Sequence, residues 1–544
     1  MSASSKKKLR REQDAAMLTE KQKTEKKEAG KLKFYTIATC VLLVAVLLAF
    51  IGIIVSNSGI VQRSTTALQV GDHKVTTVEL SYNYINTVNN FTNQYGSAVS
   101  LFGLDVTKSL GSQTYSEETG ETWADYFLTQ AEQTVRSTYA LCDAAKAEGY
   151  AMSDSDKATV ESTITSLETT AKNAGYSDVN ACLKALYGKG ANLKSYRSYV
   201  ESQVLASSYY NDHQASLSYT DADRREMEAD DYNVYSSFSY NTYYVSRSSF
   251  LSGGTTDEDG NTTYTDEEYA EAAKAAETAA TSLTGSSITT VEQFNDAIAG
   301  LEINKDKENV TSTVYTDTRY ASVSSTVRDW VTDASRKAGD TTIIANTSTD
   351  ADGNEVINGY YAVFFVGSND NIFPLANVRH ILVSFEGGTQ DSNGNTTYSD
   401  EEKDAAKKKA EDLLNEWKSG DATEESFAEL ATANTTDTGS KENGGLYENV
   451  YPGQMVTNFN DWCFDDARKA GDTGIVESTY GYHVMYYVGD SDLTYRDYLL
   501  DNAMTTRDME SWYTGLTEAL PMTVKTTRGL TTALVLSTSS SSSQ

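Results

Sequence analysis

A chain of 544 residues exceeds what one hydrophobic core usually serves, so several domains are expected. The net charge is −32, and because the first 33 residues carry +6, the rest carries −38, which argues against nucleic acid or anionic lipid surfaces as its partners. The four cysteines (Cys40, Cys142, Cys182, Cys463) have no metal-ligand spacing, and three prolines exclude a Pro-rich stalk.

The first 33 residues hold 11 Lys+Arg against 5 acids. Residues 34–55, from Phe34 to Val55, then run for 22 positions without a charge, enough to cross a bilayer core as one helix. The basic flank precedes the run, which puts 1–33 in the cytoplasm as a basic tail and everything after Ser56 outside. A cleaved signal peptide would have a shorter apolar region of about 7–15 residues. Cys40 lies at the start of the run rather than after it, which argues against lipidation. The expectation is an uncleaved transmembrane anchor.

Residues 67–232 read as mainly helical. A strand-like opening from Leu68 to Val75 leads into a helix near Thr77. Further helices are expected over 123–148, stopped by Gly149, and over 153–173, 178–187, 193–210 and 221–229. Cys142 and Cys182 either pair outside the cell or stay as buried free thiols. His73 and His213 read as surface polar residues.

An internal repeat follows. Residues 261–268 (N-T-T-Y-T-D-E-E) recur as 395–402 (N-T-T-Y-S-D-E-E), with Gly253-Gly254 and Gly387-Gly388 at the same offset. Asp329-Trp330 and the R-K-A-G-D-T run from Arg336 recur as Asp461-Trp462 and the run from Arg468. Gly359-Tyr360-Tyr361 corresponds to Gly481-Tyr482-His483. Residues 233–368 and 376–490 therefore read as two copies of one domain. The second copy opens on a strand with His380 (378–383) and closes on a strand with His483 (480–488), and these are two of only four histidines. Between them the pattern gives a helix over 399–418, started by a Ser399/Glu402 capping box, a helix over 426–434, a polar Gly-rich loop over 437–445, and a helix over 458–470. A helix over 495–519 and a strand-like 522–524 follow, and 537–544 is a Ser-rich tail expected to be disordered.

Six motifs stand in order here: R-H-I-L-V, F-A-E-L-A, D-T-G-S-K-x-N-G-G, G-Q-M-V-x-x-F, K-A-G-D and the closing G-Y-H. The order resembles the parvulin family of peptidyl-prolyl isomerases over about 110 residues. The N-terminal helices, one ending A-K-A-E-G-Y with S-D after it, resemble the chaperone domain of the SurA/PrsA-type extracytoplasmic foldases. The resemblance implies a multidomain α+β chain. It would comprise a helical SurA-N-like chaperone module, two tandem parvulin-like α/β domains (an antiparallel sheet with surrounding helices) and one N-terminal transmembrane helix. A C-terminal segment, 491–530, would return to pack on the helical module.

Carried over by position, His380 and His483 are the family's histidine pair, and Asp437 or Thr438 stands at its Cys/Asp place. Met455 and Phe459 have the spacing of its proline cup, and Tyr447 falls where it has a leucine. Thr438 offers no thiolate. Ser384 and Phe385 lie where phosphate-selective members carry a basic residue nearby, so no phospho-Ser/Thr preference is expected. Each residue alone also fits a core role, as buried hydrogen-bonded histidines or ordinary i, i+4 packing. The first copy has Tyr361 at the closing histidine position, no histidine on its opening strand and no G-Q-M-x-x-x-F segment, which reads as a non-catalytic binding or spacer domain. The implied function is isomerisation of X-Pro bonds in unfolded, exported polypeptides, without metal or other cofactor. The alternative is a holdase that binds peptides without turnover.

Overall fold

The computed structural model describes residues 4–13, 42, 44–47, 58–229, 231–257, 260–350, 353–391 and 394–526. The expected span at 34–55 falls outside the described residues except at 42 and 44–47, and so does the tail at 537–544. Among the described residues, no helix is long and apolar enough to cross a membrane. The chain divides into two units, 1–217 with 507–544, and 218–506.

In the first unit a hairpin of β1 (Thr66–Val70) and β2 (His73–Thr76) turns at Gly71-Asp72. The helices α1 (Thr77–Tyr95), α2 (Trp123–Ala147), α3 (Asp154–Asn173), α4 (Val179–Tyr187) and α5 (Leu193–Ser216) follow. Their starts are set locally. Thr122 with Asp125 and Ser153 with Asp156 form capping boxes, and Asp178 caps α4. The core gathers Leu68, Leu80, Tyr82, Tyr84, Trp123 and Phe127 from strands and helices alike. Strand Met522–Val524 adds to the β1 edge, and Arg136 Nε donates to Leu520 O at 2.8 Å, so the chain's last described segment closes this unit. Helix α5 runs six residues past the expected end at 210. The extension is held from far along the chain, since Trp512 packs on Tyr209 and stacks on His213 with ring centroids 3.9 Å apart. Cys142, Cys182 and Cys463 are free thiols, so the Cys142–Cys182 pairing is not formed. His73 is not simply a surface residue either: its Nε2 lies 2.8 Å from Asp143 Oδ1, and its ring stacks on Tyr139.

The second unit holds α6 (Asp221–Glu228) and then two four-stranded antiparallel sheets with one topology. The first sheet has β3 (Ser237–Ser246), β4 (Thr313–Arg319), β5 (Thr341–Thr349) and β6 (Glu355–Asn369) in the order β4-β3-β6-β5, with α7 (Asp266–Thr281) and α8 (Val291–Ala299) on one face and α9 (Ser325–Val331) on the other. The second has β7 (Pro374–Ser384), β8 (Leu446–Val450), β9 (Thr473–Ser478) and β10 (Gly481–Thr494) in the order β8-β7-β10-β9. Glycine sets the register of both. Gly481 pairs with Ser384 and Gly359 with Ser246, and a Cβ on either would lie 2.1 Å and 2.4 Å from the facing carbonyl of Val383 and Val245. That register aligns His380 with Thr242 and His483 with Tyr361.

In the second sheet, side chains alternate between two faces. Ile381, Val383, Tyr482 and Val484 face one side, where helices α10 (Asp400–Ser419) and α11 (Glu424–Asn434) cover them. Val378, Met485 and Tyr487 face the other side, under α12 (Thr457–Cys463). The Ser399/Glu402 capping box is formed. Helix α12 stops at Cys463, short of the expected 470. Asp465 organises a turn there by accepting from Ala467 N–H at 2.9 Å, and Arg468 folds back over the Trp462 ring, 3.9 Å from its centroid. A buried Arg496 in the first turn of the C-terminal helix Tyr495–Ala519 ties the sheets together. It pairs with Glu228, donates to Tyr232 O and Asp370 O, and stacks on Tyr232.

Candidate active site

The two strand histidines meet on the α12 face of the second sheet. His380 pairs across the ladder with Met485 and His483 with Leu382, so their rings are diagonal neighbours, with Nδ1 to Nδ1 at 3.0 Å. Both are buried, at 3% and 5% exposure. The ring of Phe459, from α12, meets both edge-on, at centroid distances of 5.4 Å and 5.3 Å.

The outer nitrogen of each histidine is also occupied. His380 Nε2 lies 2.9 Å from Asp437 Oδ2 and 3.2 Å from Ser440 Oγ. His483 Nε2 lies 2.8 Å from Ser478 Oγ. Asp437 Oδ2 also accepts from the Ser440 hydroxyl at 2.5 Å and the Tyr447 hydroxyl at 2.9 Å, and Oδ1 accepts from Gly439 N–H at 3.1 Å. These bonds hold the Asp437 carboxyl well below the usual carboxylate range, His380 contributing most, against the opposing effect of burial. Burial, and then the neighbouring His380, push His483 down to about 4, so its ring is neutral at pH 7.

The carboxylate fixes the direction of one bond in this network. A carboxylate only accepts, so His380 Nε2 carries a proton toward Asp437. The two Nδ1 atoms share one hydrogen bond, and His483 Nε2 bonds the Ser478 hydroxyl oxygen, which also accepts from Tyr480 N–H at 3.1 Å and lies 3.3 Å from Gly481 O. The result is a continuous hydrogen-bonded chain from Ser478 through two imidazoles to Asp437.

The structure brings together six of the seven residues singled out from the sequence: His380, His483, Asp437, Tyr447, Met455 and Phe459. It also separates the two candidates for the Cys/Asp place. The Asp437 side chain reaches His380, whereas Thr438 is exposed and points to none of this network. Met455 is half-buried in the same cluster as Phe459. Tyr447 does more than form an apolar wall. Its ring lies against His380 and its hydroxyl donates to Asp437, and burial followed by that carboxylate pushes its pKa up to about 12. Ser440 and Ser478 were not singled out; in a chain this rich in serine, no local signal marks them. Cys463, in the same cluster, is pushed up to about 12 by burial and offers no thiolate. Among the described residues no cluster of His, Cys, Asp and Glu could hold a metal ion.

At the matching place in the first sheet, Thr242 is buried and Tyr361 packs on Tyr244, with centroids 4.8 Å apart. Offsets from the paired Trp330 and Trp462 set Val323 and Val327 opposite Met455 and Phe459.

Residues 366–489 match the family model described as the PPIC-type PPIASE domain, the parvulin-type family to which the motif order points. Among curated relatives, Foldase protein PrsA 1 of Listeria innocua is 42% identical over 64 residues, covering 12% of this chain and 22% of that protein. Foldase protein PrsA 3 of Bacillus cereus is 40% identical over 70 residues, covering 13% and 24%. The match thus spans about a fifth of the length of these relatives. Among solved structures, PrsA from Bacillus subtilis aligns over 76% of this chain and 92% of its own at 12% identity, with a TM-score of 0.25. The peptidylprolyl isomerase PrsA from Bacillus anthracis aligns over 28% and 59% at 23% identity, with a TM-score of 0.17.

Proposed function

We propose that this chain, whose residues 366–489 match a peptidyl-prolyl isomerase domain, is an extracytoplasmic foldase that catalyses cis-trans isomerisation of X-Pro bonds in unfolded, exported polypeptides. The observation that carries this reading is the closed network Ser478–His483–His380–Asp437, edged by Phe459, Met455 and Tyr447. A domain that only bound peptides would have no need for two buried imidazoles bonded to each other and to a carboxylate.

Rotation about an amide costs about 18–20 kcal/mol because resonance is lost, and unaided X-Pro bonds take tens of seconds. No covalent intermediate is needed. The catalyst must hold the proline ring and favour the twisted amide over the planar one. Phe459 and Met455 supply apolar contact for the ring. The Asp437 carboxylate, a fifth exposed, and the Tyr447 hydroxyl supply fixed charge and dipole at the edge of the same cluster. The histidine pair keeps that carboxylate in place. The role of the first copy is binding or spacing, since Thr242 and Tyr361 offer no comparable network.

Anchoring through residues 34–55, with the N-terminus cytoplasmic, is supported by the uncharged run and its basic flank. Protease added to intact protoplasts is expected to remove everything beyond Ser56; protection of 366–489 would overturn this orientation. The enzymatic reading is tested by NMR exchange spectroscopy on unphosphorylated Ala-Pro and Leu-Pro peptides with the full-length chain. Acceleration over the uncatalysed rate is expected. A folded chain that gives none, yet suppresses aggregation of an unfolded client, would leave the holdase alternative.

A further inference from the structure

The segment carrying Asp437 is a strap, residues 435–445, laid along β7. Its first end is bonded to the strand. Leu382 N–H donates to Thr435 Oγ1 at 3.0 Å, and Thr436 N–H and its hydroxyl both donate to Leu382 O at 2.9 Å. At the far end His380 N–H donates to Gly445 O at 2.9 Å. Beside it, Arg379 Nη1 donates to Asn443 O at 2.8 Å and to Gly444 O at 3.0 Å, while Nε donates to Glu424 Oε1 at 2.9 Å in the first turn of α11. The Arg379 side chain is only 15% exposed.

The approach is close. Gly444 and Gly445 have φ of 65° and 72°, and a Cβ on Gly445 would lie 2.2 Å from His380 O. The far end is also coupled inward. Gly445 N–H donates to Ser440 O at 2.9 Å, the Ser440 hydroxyl donates to Asp437, and Asp437 accepts from His380.

We propose that Arg379 is a positioning residue for isomerisation. It pins the far end of the strap and thereby sets the distance from the Asp437 carboxylate to His380 Nε2. The proposal rests on the isomerase reading above. Strand alternation turns the Arg379 side chain to the α11 face, away from the histidines, so it acts through the strap and not on the substrate. A planar fork can serve two carbonyls and a carboxylate together, whereas the single ammonium of lysine cannot match that geometry.

The test uses the full-length chain, with kcat and KM from NMR exchange on an Ala-Pro peptide between pH 3 and pH 8. For Arg379→Lys, kcat is expected to fall about tenfold, as expected for a misplaced catalytic group, with KM unchanged because Met455 and Phe459 are untouched. The acid limb of kcat should also move to higher pH, because a carboxylate freed from its donors titrates nearer its ordinary range. Glu424→Gln, which removes charge but keeps an acceptor, should give a smaller fall in the same direction. If Arg379→Lys fails to fold, Glu424→Gln decides. A folded variant with wild-type kcat and an unmoved acid limb overturns the proposal, as does a raised KM at unchanged kcat. A wild-type chain without activity is seen before any variant is made; it sinks the isomerase reading, and this proposal with it.

Discussion

Replacing Asp437 by Asn tests whether the carboxylate is the hub of the site. Its Oδ2 accepts three hydrogen bonds, from His380, Ser440 and Tyr447, and Oδ1 accepts a fourth from Gly439. Asparagine offers one carbonyl and one NH2. With the carbonyl at the Oδ2 place, the NH2 opposes Gly439 N–H; with the amide flipped, the NH2 opposes three donors. The better orientation still exchanges three charge-assisted bonds, each about 1.5–3 kcal/mol, for neutral ones of about 0.5–1.5 kcal/mol. With the side chain 20% exposed, water recovers part of the difference, and a net local loss of about 2 kcal/mol is expected. Two domain units make a single unfolding midpoint a poor readout, so native-state hydrogen exchange of the amides of β7 and β10 is the assay. At about 1.4 kcal/mol per factor of ten, exchange there should rise about thirtyfold, with the first sheet unaffected. On Ala-Pro peptides kcat should fall at least about tenfold, since an oriented electrostatic group is lost. Unchanged exchange together with a rate within about twofold of wild type would refute the network as drawn.

Three further outcomes follow from the same geometry. Met455→Ala should raise KM with kcat little changed, because it removes apolar contact shared by ground and transition states; a fall in kcat alone would contradict its assignment to the cup. The buried His483 has its pKa lowered from 6.5 to about 4, so between those values the unfolded chain binds a proton that the folded one refuses. Stability of the second sheet should therefore be full above pH 6.5 and fall by on the order of 3 kcal/mol by pH 4; in His483→Gln that slope should flatten, and an equal slope in both proteins would place the titration elsewhere. The full-length chain carrying His380→Ala, His483→Ala and Met455→Ala together should keep only a small fraction of the wild-type rate, and undiminished turnover would mean that the first copy carries the activity.

What could be read from the sequence was local or rare. The Ser399/Glu402 capping box marked a helix start and Gly149 a helix end, because a cap is decided within a few residues of the chain. Histidine is scarce enough here that two on apolar strands stood out, and the motif order gave them partners. The remainder depended on contacts that no local pattern encodes. Helix α12 ends at Cys463 because Asp465 and Arg468 prefer a turn and a ring stack to another helical turn. Helix α5 continues past 210 because Trp512, some three hundred residues on, covers its end. Ser440 and Ser478 are ordinary serines until the fold delivers imidazole nitrogens to them. Tyr447 read as an apolar substitute for leucine; only the strap brings Asp437 within reach of its hydroxyl.

The two sheets show which parts of the repeat serve the frame and which serve the chemistry. Arg336 stacks on Trp330 as Arg468 stacks on Trp462, and Gly339 N–H donates to Phe365 O as Gly471 N–H donates to Tyr487 O, each at 2.8–2.9 Å. Both sheets pinch at a glycine opposite a serine. These features fix strand register and the turn after the short helix, and a fold needs them whatever it does. The differences collect on the face under that helix, where Thr242, Tyr361, Val323 and Val327 replace two histidines, a methionine and a phenylalanine. Removing one member of a buried polar network strands its partners, whereas replacing the whole set with packed side chains can be neutral or stabilising. The stacked Tyr240 and Tyr315 beside Val323 and Val327 have the form of that second case, a site filled as a unit. Restoring histidine at Thr242 or Tyr361 singly should therefore yield no activity in the first sheet, since neither ring would find the carboxylate, the strap or the second imidazole that hold its counterpart in the other copy.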